Sequence, residues 1–314
     1  MLNRRLLRVK IMQSLYAYFQ SGNLDLYKEE KALLHSIQRV YDLYLLYLIL
    51  PLELAMIAEV QMEEARNKRL PTKEDKNPNR RFVDSHLMQA LSENNSLHHQ
   101  VEQRKISWSS DHEFLRKLWR KIRKSELYLN YLEDEKGEAV DRRFLEKLFK
   151  TFILDNEDLY SVFQERSIYW DFEDNDFAIT MAMRYFSKIK SVENYRTLPS
   201  MYKNEVEDQL FVKSLFRKCI NNDEENSKWI SLKTKNWEVD RIALVDILLM
   251  KMAVTEFLYF PSIPVKVTLN EYIELAKFFS TPKSKVFING VLDKLLNDFK
   301  NEGRLKKVGR GLMQ

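Results

Sequence analysis

The sequence predicts an all-α protein, and three observations carry that prediction. First, its 314 residues include only six glycines and seven prolines, too few for the many tight turns of a sheet. Second, Leu, Lys and Glu abound, and these are residues that lose little freedom in a helix. Third, apolar residues recur at helical spacing in most windows. Apolar residues make up 45% of the chain and charged residues 31%, enough for a substantial core and a well-solvated surface. The net charge of +5 is small, so the placement of positive charge matters more than its sum. A single cysteine, Cys219, cannot form an intramolecular disulfide and fits a reducing compartment.

Residues 4–20 form the first helix, with Leu7, Ile11, Leu15 and Tyr18 at helical spacing and no acid at all. Arg4, Arg5, Arg8 and Lys10 crowd its first turns, where cations oppose the helix dipole at about 0.3–1 kcal/mol each if exposed. Local stability does not ask for them there. They form either a solvated basic end or a phosphate-binding edge. Gly22 ends this helix, and a long helical stretch follows over 25–66, with a break or kink expected at Pro51. Its greasiest window, 43–52, is short of the ~20 apolar residues of a membrane span and reads as buried helix. No signal-peptide pattern precedes it, and the expected compartment is the cytoplasm.

Residues 66–81 read as a basic, proline-punctuated connection. Further helices are expected over 82–198, one of them opened by a capping box at Ser110-Asp111-His112-Glu113. Gly137 separates later helices, and an acidic patch surrounds Asp171-Phe172-Glu173-Asp174. A helix through Phe211, Leu215 and Ile220 then leads to a central helix over 239–259, apolar nearly all round. Asp246 breaks its pattern. A carboxylate there requires either an internal partner, Arg241 or Lys251, or a surface that another molecule covers. Pro261 and Pro264 end this helix. Thr268-Leu269-Asn270-Glu271 reads as a second capping box, and Thr281-Pro282 as the N-cap and first residue of the last helix. Gly290 lies inside that helix and implies that another backbone comes close. The tail 304–314 is basic and expected to be disordered.

No glycine-rich phosphate loop, His-Glu-x-x-His or Gly-x-Ser-x-Gly occurs. Ser187-x-x-Lys190 and Ser280-x-x-Lys283 lack companion motifs, and His98-His99 has no third ligand at metal-binding spacing. The chain is read as a non-enzyme without metal or cofactor.

Asn236-Trp237-x-x-Asp240-Arg241-Ile242 with Val245-Asp246, and then Ala253-x-x-Glu256, resembles the central helix of the NusB transcription antitermination factors. Pro264-Val265-Lys266-Val267-x-x-Asn270-Glu271-x-x-Glu274-Leu275-Ala276-Lys277 and Phe287-Ile288-Asn289-Gly290-Val291-Leu292-Asp293 resemble the two helices that follow. Arg4-Arg5-x-x-Arg8 through Gln13-Ser14-Leu15-Tyr16 is similar to that family's arginine-rich first helix. The resemblance covers 1–22 and 200–314, and 25–60 more loosely. It implies a NusB-like bundle from 1–65 and 200–303, a helical insertion over 66–199 of unknown role, and a basic tail from 304 to 314.

The resemblance further implies a factor that binds the boxA element of ribosomal RNA transcripts together with the ribosomal protein NusE, within the RNA polymerase antitermination complex. Arg4, Arg5, Arg8 and Lys10 would then face RNA. Lys283 stands where many members carry an acid, and with Lys285 it would add phosphate contacts. Tyr16 and Asp246 fall at positions of the NusE interface. The other reading is a protein-binding scaffold whose insertion supplies the main partner surface.

Overall fold

A computed structural model describes residues 1–22, 25–189, 198–234 and 243–312. Among these residues every regular element is helical. The chain divides into two compact units, 1–37 with 201–314, and 38–200. The first division falls inside the long helix, nearly thirty residues before the polar connection that begins at Arg66.

Helix α1 spans Arg4–Ser21. Asn3 caps its start by accepting from the Leu6 amide at 2.8 Å, and Gly22 ends it in the left-handed conformation (φ 64°) that glycine adopts without strain. Helix α2 runs over Leu26–Arg66 with Pro51 inside it, so of the break or kink expected there the break does not occur. By length and composition α2 is apolar enough to cross a membrane, but two thirds of its most apolar window is buried inside the fold (67%).

In the 38–200 unit, α2 continues into α3 (Lys73–Lys76), α4 (His86–Ser92), α5 (Asn95–Gln103) and α6 (His112–Arg123). Helices α7 (Glu126–Glu133), α8 (Glu138–Leu148), α9 (Glu157–Arg166) and α10 (Phe172–Lys188) complete the unit. Its core is the α2 segment from Val40 to Pro51, every residue of which is buried. The Tyr47 ring packs against Phe149 and Phe163, and the Trp108 indole N–H donates to the Leu46 carbonyl at 3.0 Å. The window read as buried helix is therefore the spine of this unit.

The capping box expected at Ser110–Glu113 is absent. Ser110 instead bonds Asp111, which pairs with Arg166, and a short 3-10 turn precedes α6. Two other boxes do form, at Thr72/Asp75 and at Asp171/Asp174. The second of these lies in the stretch that the sequence suggested was only an acidic patch. Short polar side chains sit at many helix starts, and spacing alone does not distinguish a cap from a tertiary contact.

In the other unit, α11 (Glu205–Asn221), α12 (Asp223–Lys233), α13 (Leu244–Tyr259), α14 (Val265–Phe279) and α15 (Ser284–Asn301) follow. Helix α13 is central, touching α1, α11, α12, α14 and α15, which is why it is apolar nearly all round. The Trp237 motif and Arg241 lie outside the described residues, and the described helix begins at Leu244. Asp246 is thus in its first turn, where an acid suits the helix dipole.

The tail packs against the fold instead of trailing away from it. The Val308 amide donates to the Pro261 carbonyl at 3.0 Å, and the Lys307 ammonium donates to the Phe260 carbonyl at 3.0 Å, near the end of α13. Arg304 lies over the Trp229 ring. A lysine on the last carbonyls of a helix satisfies acceptors that have no amide partner.

Candidate functional site

The first turns of α1 lie against α11, α13 and α14, and nearly every predicted cation there meets an acid. Arg8 is only 2% exposed and Glu256 of α13 is 0% exposed. They form a two-pronged pair, Nε to Oε2 at 2.9 Å and Nη2 to Oε1 at 2.7 Å. Thr268 Oγ1 donates to the same carboxylate at 2.7 Å and the Tyr272 hydroxyl at 3.1 Å. Four donors therefore satisfy one buried carboxylate, which is the condition under which a buried ion pair is tolerated. Burial by itself would lower the Arg8 guanidinium, but the charge and hydrogen bonds of Glu256 outweigh it and hold the group above its ordinary range.

This arrangement corrects two expectations from the sequence. Arg8 is buried in its pair with Glu256 and does not present itself to a partner, and Lys10 is buried as well. Thr268 does not cap α14, which starts three residues earlier after Pro264. Its hydroxyl goes to Glu256, and Glu271 goes to Arg5.

Arg5 is about half exposed (48%) and grips Glu271 through Nε at 3.1 Å and Nη2 at 2.9 Å. That hydrogen-bonded pairing raises its guanidinium above the ordinary value. Arg4, 37% exposed, reaches Asp208 at 3.3 Å and Glu207 at 3.7 Å and lies over the Phe211 ring. Glu274, one turn along α14 from Glu271, is held below the usual carboxylate range by a hydrogen bond from Lys277, then by the charges of Lys277, Arg5 and Lys285. The predicted Arg5 and Lys285 therefore belong to one electrostatic neighbourhood, which Lys277 joins. Sequence reasoning missed Lys277 as a site residue because, three residues after Glu274, it reads as an ordinary helical salt bridge.

Lys283 is exposed at the start of α15. That helix begins at Ser284, three residues after the expected cap Thr281, whose hydroxyl bonds Ser284 Oγ at 2.8 Å. Asp246 is buried, 4% exposed, and its two oxygens accept from the hydroxyls of Ser280 and Ser284. Its partners are internal but are not the expected cations. Lys251 pairs with Asp223, and Arg241 lies outside the described residues. Tyr16 is 44% exposed. No described contact joins it to Asp246.

The unit thus belongs to the class of all-helical bundles in which a basic first helix is fastened by a buried arginine–glutamate pair. Residues 175–297, from within α10 to within α15, match the model of the NusB family. Proteins named transcription antitermination protein NusB are among its relatives. The one from Salinibacter ruber is 47% identical over 103 residues, 33% of this chain and 64% of that protein. The one from Chloroherpeton thalassium is 42% identical over 103 residues, 33% of this chain and 49% of that protein. The one from Natranaerobius thermophilus is 36% identical over 87 residues, 28% of this chain and 63% of that protein. The chain therefore spans about half to just under two thirds of the length of these relatives. No solved structure matches it. The family match does not extend to α1, and the basic first helix is joined to the matched region by its ion pairs and by the packing of its buried apolar face against α11 and α13.

Proposed function

We propose that this chain is an RNA-binding transcription antitermination factor. It binds a boxA-like element of ribosomal RNA transcripts with the ribosomal protein NusE, in the cytoplasm, as part of an RNA polymerase antitermination complex. One observation carries the reading: α1 has no acid of its own, and its half-exposed Arg5 lies with Lys277 and Lys285 in one electrostatic neighbourhood around Glu274. The names of the relatives support it.

In this reading Arg4, Arg5, Lys283 and Lys285 meet phosphates, and Arg8 fixes the helix that carries them. Tyr16 is the exposed partner-facing residue. Asp246 acts on the same partner indirectly, by holding the turn between α14 and α15. Residues 66–199 are a helical insertion to which this reading assigns no role. Fluorescence anisotropy with a boxA-like RNA, with and without NusE, tests the proposal. Tighter binding in the presence of NusE is expected, and no binding in either case would refute it.

A protein-binding scaffold is favoured by a different observation. Ile168 and Phe172 stand exposed on the 38–200 unit among Asp171, Glu173 and Asp176. A stable partner recovered without any RNA requirement would support that reading.

A further inference from the structure

Helix α6, in the unit that the family match barely enters, carries the densest positive face among the described residues. Between His112 and Ser125 the sequence has six cations, Arg116, Lys117, Arg120, Lys121, Arg123 and Lys124, and one acid, Glu113. All six are exposed, while Leu115, Leu118, Trp119 and Ile122 are buried on the opposite side. At about 100° per residue the six fall within about 160° of the helix surface, a single face.

The fold does not account for this face. Cations in the last turn complement the helix dipole by about 0.3–1 kcal/mol each, which covers Arg120, Lys121 and Arg123 but not Arg116 or Lys117. Arg116–Arg120, Lys117–Lys121 and Arg120–Lys124 are like charges four residues apart, and each such pair costs about 0.2–0.5 kcal/mol. Against these stand Lys117–Glu113 at 3.1 Å and Lys121–Asp158 at 3.8 Å, both exposed pairs of little worth. Arg123 donates to the Gln61 side chain at 3.3 Å. Arg116, Arg120 and Lys124 have no acidic partner among the described residues, and they run as one ridge at four-residue intervals.

We infer that this face of α6 is a second RNA-backbone contact, with Arg116, Arg120 and Lys124 at its centre. A ridge of repeated cations matches a repeating anion, and it tracks phosphates without reading bases. No large apolar side chain is exposed on α6, so the face lacks both the buried anchor of a protein interface and the apolar side of a membrane-lying helix. The inference goes beyond the first-helix reading and shares with it only the premise that the chain binds RNA.

The test uses the full chain and a labelled single-stranded RNA of about 30 nucleotides, long enough to occupy more than one contact region. Three proteins are compared with the wild type. They are R116A/R120A/K124A, R4A/R5A, and a control triple of equal charge change, R143A/K147A/R184A, at other exposed positions of the same unit. Alanine suits all of these helical sites, and circular dichroism checks the folding of each.

With about 0.7 counterions released per contact, R116A/R120A/K124A should lower the slope of log affinity against log salt by about 2, and the affinity itself by about ten- to a hundred-fold. The control triple should change either by far less. Equal loss in the control would reduce the effect to net charge and overturn the inference. Unchanged binding in R116A/R120A/K124A with loss in R4A/R5A would overturn it while leaving the first-helix reading intact. If wild type fails to bind RNA, both fall. RNA-independent binding of the α6 face to vesicles of anionic lipid would overturn it in favour of a membrane surface.

Discussion

Replacing Glu256 with glutamine leaves the shape of the site and removes its charge. The Arg8 guanidinium would then remain in a pocket where it is only 2% exposed, with Glu271 at 3.6 Å as its nearest remaining acid. Breaking a buried pair by removing one partner costs about 3–5 kcal/mol, because the surviving charge keeps its desolvation penalty. Glu271 is already engaged by Arg5 and is itself partly solvated, so it offsets little of this. For a unit of roughly 150 residues, each kcal/mol moves the midpoint by about 2–4 °C, giving a fall in Tm of about 6–20 °C. Thermal melts followed by circular dichroism measure it. A companion variant, R8M/E256L, removes both charges and should recover part of the loss, less the cost of stranding the Thr268 and Tyr272 hydroxyls. A Glu256→Gln protein within 1 °C of wild type would refute the claim that this pair fastens α1 to the bundle.

Three further outcomes follow from the same geometry. Gly290→Ala should stabilise the chain by about 1 kcal/mol, because a Cβ there meets nothing within 4 Å and alanine is the better helix former; destabilisation in urea titrations would restore a packing role for the glycine. Ser280→Ala with Ser284→Ala should cost more than Asp246→Asn, since the first strands a buried carboxylate and the second leaves an amide the serines can still bond; the reverse order in melts would contradict this. Burial lowers the Lys307 ammonium to about 8, against 10.5 for an ordinary lysine. Below pH 8 the charged group carries its burial cost in the native state. Between 8 and 10.5 the unfolded chain binds more protons than the native one, so stability relative to Lys307→Met should rise with pH across that window. A flat or falling difference in denaturant midpoints would refute it.

Much of the architecture was legible because it rests on local rules. Gly22 as a helix stop, the buried apolar window of α2 and the all-round apolar character of α13 follow from backbone freedom and burial, which act at each residue. The caps were less legible. Thr268 and Glu271 have the spacing of a capping box, but their side chains meet Glu256 and Arg5, residues distant in sequence. The arginines show the same limit. Composition reveals that α1 is basic, but only the fold reveals that Arg8 turns inward to Glu256 while Arg5 stays half exposed. Gly290 misled in the opposite direction: glycine inside a helix suggested a close neighbour, and the described structure leaves that side open.

The central claim is that Arg4, Arg5 and Lys285 hold RNA. The direct measurement is the salt dependence of boxA-like RNA binding by wild type and by R4A/R5A/K285A. Three lost phosphate contacts to a single strand should lower the log–log slope by about 2 and weaken binding at every salt concentration. A variant with the affinity and slope of wild type would contradict it.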